Sequence, residues 1–428
     1  MILRRDISIK MGLRVTLNRR NFVRGGAALL VGNGPAVTAA VGQTAPPAAI
    51  LPKETPRTLQ VTAMLGRGMQ LMSNHLRRDY TLEAATALRV KPNEKFVLRV
   101  TNATDEPIGM QIRGLRLPSF PSLANIERGA TVELPLQLAD SGTFLLQATD
   151  VEQIARGLST LLVVEETTPP QVHLELPFLV QDREHQLPPM LSLNGEAKAS
   201  EKAADPTKVQ PNMRVRLRMA NATASRGFLM KFDGMVAFIV AIDSTPSEIF
   251  RPRQDSFPFG PGARYDVIFD VPAGTQPIIS VDDGQFKQEL MRFLPDGEPR
   301  PALPAVVALP PHPALPPEIE LAKAQRFECF FGAPNALRSF DLKRDIPTSL
   351  ALINKSGAVL SVYLGGQVVR VLHPADDGWE PYWRDSLIMA IGQTVHVALK
   401  PLVAGKFFMD ALKLNTFTAP ERIALNVV

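Results

Sequence analysis

One cysteine, Cys329, stands in 428 residues, so no disulfide can form within the chain, and cysteine usage is compatible with cytoplasm and periplasm alike. The chain also lacks any run of about 18 or more uninterrupted apolar residues, the length a membrane-spanning helix needs. A strong charge of one sign is missing too. The formal net charge is +5, and the basic first 24 residues account for it, which leaves the remainder near neutral and argues against nucleic acid as a partner. No nucleotide-binding glycine loop, Gly-x-Ser-x-Gly elbow or His-Glu-x-x-His motif is present. The six histidines are His75, His173, His185, His312, His373 and His396. No two of them form His-x-His, the spacing that sends two imidazoles off one face of a strand toward one metal.

Proline, by contrast, is abundant: 38 residues, roughly 9% against about 5% in average proteins. Such a composition favours strands, turns and extended linkers over long helices, so an all-β architecture is expected. The N-terminal stretch Asn18 to Arg24, with Arg19 and Arg20 at its centre, precedes a weakly apolar Gly- and Ala-rich segment and small residues at Ala39, Ala40 and Gly42. It resembles a twin-arginine export signal, which hands folded proteins to the periplasm. On that reading residues 1–45 are the signal peptide.

Alternation marks the strands. In the stretch Lys95 to Asn102, Phe96, Leu98 and Val100 share one face. In Met213 to Asn221, Val215, Leu217 and Met219 face one way and Arg214, Arg216 and Arg218 the other, and a solvated outer face is the expectation for those arginines. Cys329 reads as a small core residue, and His396, between Val395 and Val397, as pointing off the core. The carboxylate pairs Asp282-Asp283 and Asp376-Asp377 sit in turn-like sequence. Met64, Met69 and Met72, with His75 behind them, could offer soft sulfur to Cu(I), but their spacing fits no defined ligand set and core-edge packing is the plainer reading.

Several motifs together resemble the multicopper oxidases. Gly142-Thr143-Phe144 followed by Gln153-Ile154-Ala155-Arg156-Gly157-Leu158 is similar to the end of that family's first domain, and Ile108 to Leu115 to its earlier histidine-bearing strand. Leu176 to Arg183, with its Gln-Asp-Arg end, and Pro261 to Val267 resemble the second domain. Val359 to Gly365, Trp383 to Leu387, Gly392 to Val395 and Gly405 to Met409 resemble the third. The resemblance implies three cupredoxin-like Greek-key β-sandwich domains, placed at 46–167, 168–305 and 306–428 after the signal peptide.

The family's copper-binding histidine and cysteine positions fall, in this alignment, on Gln111 and Arg113, Gln147 and Thr149, Val359, Val362 and Leu364, and Asp410, Ala411 and Leu412. An amide is a poor copper ligand beside imidazole, and a guanidinium repels a copper cluster. The expectation is therefore a homologue without copper or any other cofactor, with no catalytic residues. It is similar to the copper-less, twin-arginine-exported periplasmic cell-division protein of the superfamily and acts as a binding or structural protein with a partner in the cell envelope. The competing expectation is a copper-dependent oxidoreductase with unconventional ligands.

Overall fold

Phe96, Leu98 and Val100 of strand Lys95–Ala103 are almost wholly buried while Lys95, Val97 and Arg99 lie outward, as period-two patterning requires. The same logic recurs along the chain and gives three β-sandwiches. The computed structural model describes residues 56–428 apart from 73–74, 85–86, 119–122, 184–189, 198–204 and 373–377. The expected export signal, with Arg19 and Arg20, lies outside the described residues, as do the side chains of Met69, Met72 and His75.

Two four-stranded sheets enclose the first core: one joins Arg57–Met72, His75–Glu83, Lys95–Ala103 and Thr131–Gln137, the other Ala87–Val90, Met110–Arg113, Gly142–Ala148 and Ser159–Val164. A seven-stranded and a five-stranded sheet between Leu174 and Pro295 enclose the second. A four-stranded and a five-stranded sheet from Gln325 to Val427 enclose the third, where Cys329 is fully buried. Burial pushes its thiol up to about 12, so it stays protonated. His396 is exposed, as its neighbours Val395 and Val397 demand.

One local device is used three times. In each sandwich the first strand runs parallel to a later strand that ends in a buried asparagine: Arg57–Met72 beside Lys95–Ala103, Leu174–Arg183 beside Arg214–Asn221, and Gln325–Phe331 beside Thr348–Asn354. Asn102 Oδ1 accepts from the amide and hydroxyl of Thr104, while its Nδ2 donates to the carbonyls of Glu106 and Ile126. Asn221 does the same with Thr223, Arg226 and Phe259, and Asn354 with Ser356, Ala358 and Ala390. Each asparagine thus ties two carbonyls and one amide together at a strand end, where an unpaired buried group costs about 1–3 kcal/mol.

The arginine face of Arg214–Asn221 differs from expectation: Arg214, Arg216 and Arg218 are buried. Their sheet does not face water there, because the first sandwich packs over it, and Leu145 and Leu161 meet Leu179, Ala220 and Ala222 at the same junction. Carboxylates from both sides neutralise the guanidinium groups. Arg214 forks Asp270 at 2.6 and 2.8 Å, and Arg218 donates to Glu166 at 2.8 Å and Asp266 at 2.9 Å. Arg216 reaches Asp266 at 2.6 Å, and Thr143 of the first sandwich donates to the same carboxylate at 2.6 Å. Alternation on a strand tells which residues share a face; it does not tell what covers that face.

Candidate functional site

Four strands from two sandwiches bring their polar faces to one place. On Met110–Arg113, Met110 and Ile112 enter the first core, which leaves Gln111 and Arg113 on the opposite face. The neighbouring strand Gly142–Ala148 pairs Gln147 with Gln111 and sends Phe144, Leu146 and Ala148 into the same core. From the third sandwich, Gly405–Lys413 directs Phe407, Met409 and Ala411 inward and Asp410 and Leu412 outward. Its partner Leu360–Gly365 contributes Ser361 and Tyr363.

Gln111, Arg113, Gln147, Thr149, Ser361, Tyr363, Asp410 and Leu412 all border one cavity of about 20 Å³, closed further by Thr223, Ala224 and Pro261 of the second sandwich. Six of the ten positions singled out in the sequence thus meet here. Thr149 stands exposed at the rim. Ala411 belongs to the third core, on the other side of its strand.

The remaining strand is out of register with the sequence alignment by one residue. Val362 and Leu364 are fully buried in the third core, and Val359, only partly buried, precedes the strand and accepts from the Leu414 amide at 2.9 Å. Neither Val362 nor Leu364 can reach the cavity, because residues at i and i+1 of a strand leave opposite faces. Ser361 and Tyr363 take those places. The signal was in the sequence: within the segment Leu360 to Leu364 the apolar set is 360, 362 and 364, and the residues between them are polar-tipped.

Arg113 dominates the site. Its guanidinium carbon lies 4.2 Å from the centre of the Tyr363 ring, a cation–π distance. It can lie there because Gly262 has no side chain: a Cβ at that position would come within 2.3 Å of Arg113 Nη1. Burial pushes the Arg113 pKa below its ordinary value, while Tyr363 and Asp410 pull it back and Arg264 pushes it down further. Tyr363 Oη in turn accepts from the Gly114 amide at 3.4 Å. Asp410 is already taken, since Arg422 forks it with two bonds of 2.7 Å.

Behind this cluster the second and third sandwiches are locked by ions. Arg264 donates to Asp385 at 2.9 and 2.6 Å, and Asp243 accepts from the amides of Asp385 and Ser386 at 3.0 and 2.9 Å. Gly114 and Gly142 sit at this junction with φ of +100° and +147°. A Cβ on Gly142 would approach the Ser244 carbonyl oxygen to 2.7 Å, so the Gly-Thr-Phe start serves close packing between sandwiches. Arg156 of the Gln-x-Ala-Arg-Gly-Leu run stacks 3.6 Å over Tyr80 and donates to Glu106 at 2.8 Å. These frames hold the fold together through contacts that involve no metal.

The donors around the cavity do not fit a copper cluster. They comprise two amides, hydroxyls, a guanidinium and one carboxylate engaged by Arg422, whereas copper in such proteins calls for imidazole and thiolate. Among the described residues no group of three or more His, Cys, Asp or Glu is placed to hold a metal ion. Likewise, no helix among them is long and apolar enough to cross a membrane.

Residues 175–286 match the family model described as Multicopper oxidase. A sequence search of curated proteins gave no match. Among solved structures, the chain is similar to a multi-copper oxidase from Pseudomonas thermotolerans, with a TM-score of 0.71 and 19% identity over 87% of this chain and 100% of that one. It is similar also to Lac15 from a marine microbial metagenome, with a TM-score of 0.70 and 22% identity over 87% of this chain and 100% of that one. McoA of the hyperthermophile Aquifex aeolicus, a multicopper oxidase, gives a TM-score of 0.70 at 13% identity over 87% and 96%. A multicopper oxidase match thus covers residues 175–286, and the chain as a whole shares the cupredoxin-like fold of that superfamily's solved structures.

Proposed function

We propose that this protein is a copper-free member of its superfamily, exported folded to the periplasm by the twin-arginine route, and that it serves there as a binding or structural protein of the cell envelope. One observation carries the reading. At the convergence of the four strands that resemble the family's copper-binding motifs, a guanidinium stacked on a tyrosine fills the space, held open for it by Gly262. A fixed positive charge there opposes copper by Coulomb repulsion, beyond the loss of ligands.

The fold is nevertheless maintained at substantial cost in buried charge, with Arg214, Arg216, Arg218 and Arg264 all matched by carboxylates. A scaffold kept rigid without a catalytic centre fits a role in holding a protein partner, and the division-associated relative of the superfamily offers the nearest kind of role.

Metal analysis of the purified protein after copper loading tests the reading. It expects copper far below one atom per chain and no blue absorption band. Near-stoichiometric copper with oxygen-dependent oxidation of a substrate would instead establish an oxidoreductase with unconventional ligands. Affinity capture from envelope fractions under crosslinking, followed by binding of the purified candidate, tests the partner. Absence of any saturable interaction with an envelope protein contradicts the scaffold role.

A further inference from the structure

Most arginines enclosed at the sandwich junctions pair with a carboxylate, and Arg113 does not. Arg214 is forked by Asp270, Arg218 by Glu166, Arg264 by Asp385 and Arg156 is bonded to Glu106, while Arg116 meets Asp140 at 2.8 Å. Arg113 has no such partner. Among the described residues no carboxylate comes within ion-pair distance of it, its Nε is buried without an acceptor, and its charge rests on the face of Tyr363. Arg113 is half-buried and lines the cavity.

A cation held partly away from water without an anion is unfavourable, because the lost hydration of the charge is not made good. Asp410, which borders the same cavity, does not supply the balance, since both of its oxygens are engaged by Arg422. Other groups on the wall are left with hydrogen-bonding capacity to spare. Tyr363 Oη accepts from Gly114 and no acceptor takes its own proton, and Gln147 Oε1 is buried without a partner. Turning that amide over places an N–H in the same position.

We infer that the cavity between Arg113, Tyr363 and Gln147 binds a small monovalent anion of halide size, which serves as the counter-ion of Arg113. Its size follows from the space: about 20 Å³ is a little more than one water molecule needs, which suits a halide better than a bulkier oxyanion. The donors are of the right kind, namely a guanidinium, a phenol and an amide, with Gln111 and the hydroxyls of Thr149, Thr223 and Ser361 also on the wall and Leu412, Val151, Ile154 and Ala224 its apolar part. This inference stands apart from the envelope role, since it concerns only the charge balance at the junction of the sandwiches.

Crystals of the whole protein grown or soaked in sodium bromide test it, with anomalous data at the bromine edge. An anomalous peak in the cavity beside the Arg113 guanidinium is expected, together with a higher Tm in sodium bromide than in the same concentration of sodium nitrate, a bulkier monovalent anion with a similar general effect on stability. In R113Q the excess should vanish; the diffraction measurement needs no variant and so stands if R113Q does not fold. Bromide confined to the protein surface, a cavity holding only water, copper at this place at the copper edge, or an equal response to nitrate would each overturn the proposal.

Discussion

At the scale of single residues, buried polar groups carry more of this structure than the composition suggests. The three asparagines at 102, 221 and 354 each tie a strand end to the turn that follows it. Replacing Asn221 by Ala removes the side-chain donor to the Phe259 carbonyl and the acceptor of the Thr223 amide, so N221A should lose about 3 kcal/mol in denaturant unfolding. Glu166 gives a pH signature. Burial favours its protonated form, but hydrogen bonds and charges from Arg216 and Arg218 outweigh burial and hold its carboxyl down at about 2. A carboxylate with a depressed folded pKa stabilises above its unfolded value, near 4.5, and that contribution is lost as pH falls through the range 4.5 to 2. Urea unfolding at stepped pH should therefore show a fall on the order of 3 kcal/mol over that range, and E166Q should flatten it. The burial of Arg216 was not legible in the sequence, because its carboxylate partners Glu166, Glu175 and Asp266 come from three other segments.

At the scale of elements, period-two alternation decided more than motif alignment did. Aligning Val359, Val362 and Leu364 with a histidine motif set the strand one residue away from the register that its own apolar pattern dictates. In the observed register Val362 is core and Ser361 faces the cavity. V362S should thus cost about 2 kcal/mol, through lost methyl burial and a buried hydroxyl, whereas S361V should cost under about 1 kcal/mol, since Ser361 makes only a 3.4 Å bond to the Pro261 carbonyl. The opposite order of Tm values would restore the sequence-based register. The turn before Arg264–Asp270 is the other sensitive element. Gly262 has φ of +82° and faces Arg113, so G262A meets both backbone strain and a clash with the guanidinium. A loss of at least about 2 kcal/mol is expected, recovered in part in the double variant G262A/R113M, where the clashing head group is gone.

At the scale of the molecule, three sandwiches are bound into one unit, Thr55–Val428, by junctions that are ionic more than apolar. High salt weakens exposed ion pairs through screening but reaches buried ones poorly, so raising sodium sulfate, which otherwise favours the folded state, should not lower Tm, while acid should separate the sandwiches first at the Glu166 junction. Limited proteolysis at pH 3 followed by mass spectrometry checks this, with cleavage between residues 166 and 173 preceding loss of the second and third cores. The sequence by itself determined the all-β class and the strand faces within each sandwich, and it put amide, guanidinium and hydroxyl chemistry at Gln111, Arg113, Gln147 and Thr149, because alternation and residue chemistry are local properties. Only the tertiary structure decided that Arg214, Arg216 and Arg218 are interior and that Ser361 and Tyr363 complete the cavity. Nor could the sequence show that Arg113 stands there with no carboxylate partner among the described residues. Those facts depend on which sheet covers which, and a chain packs its sheets across distances that no local pattern records.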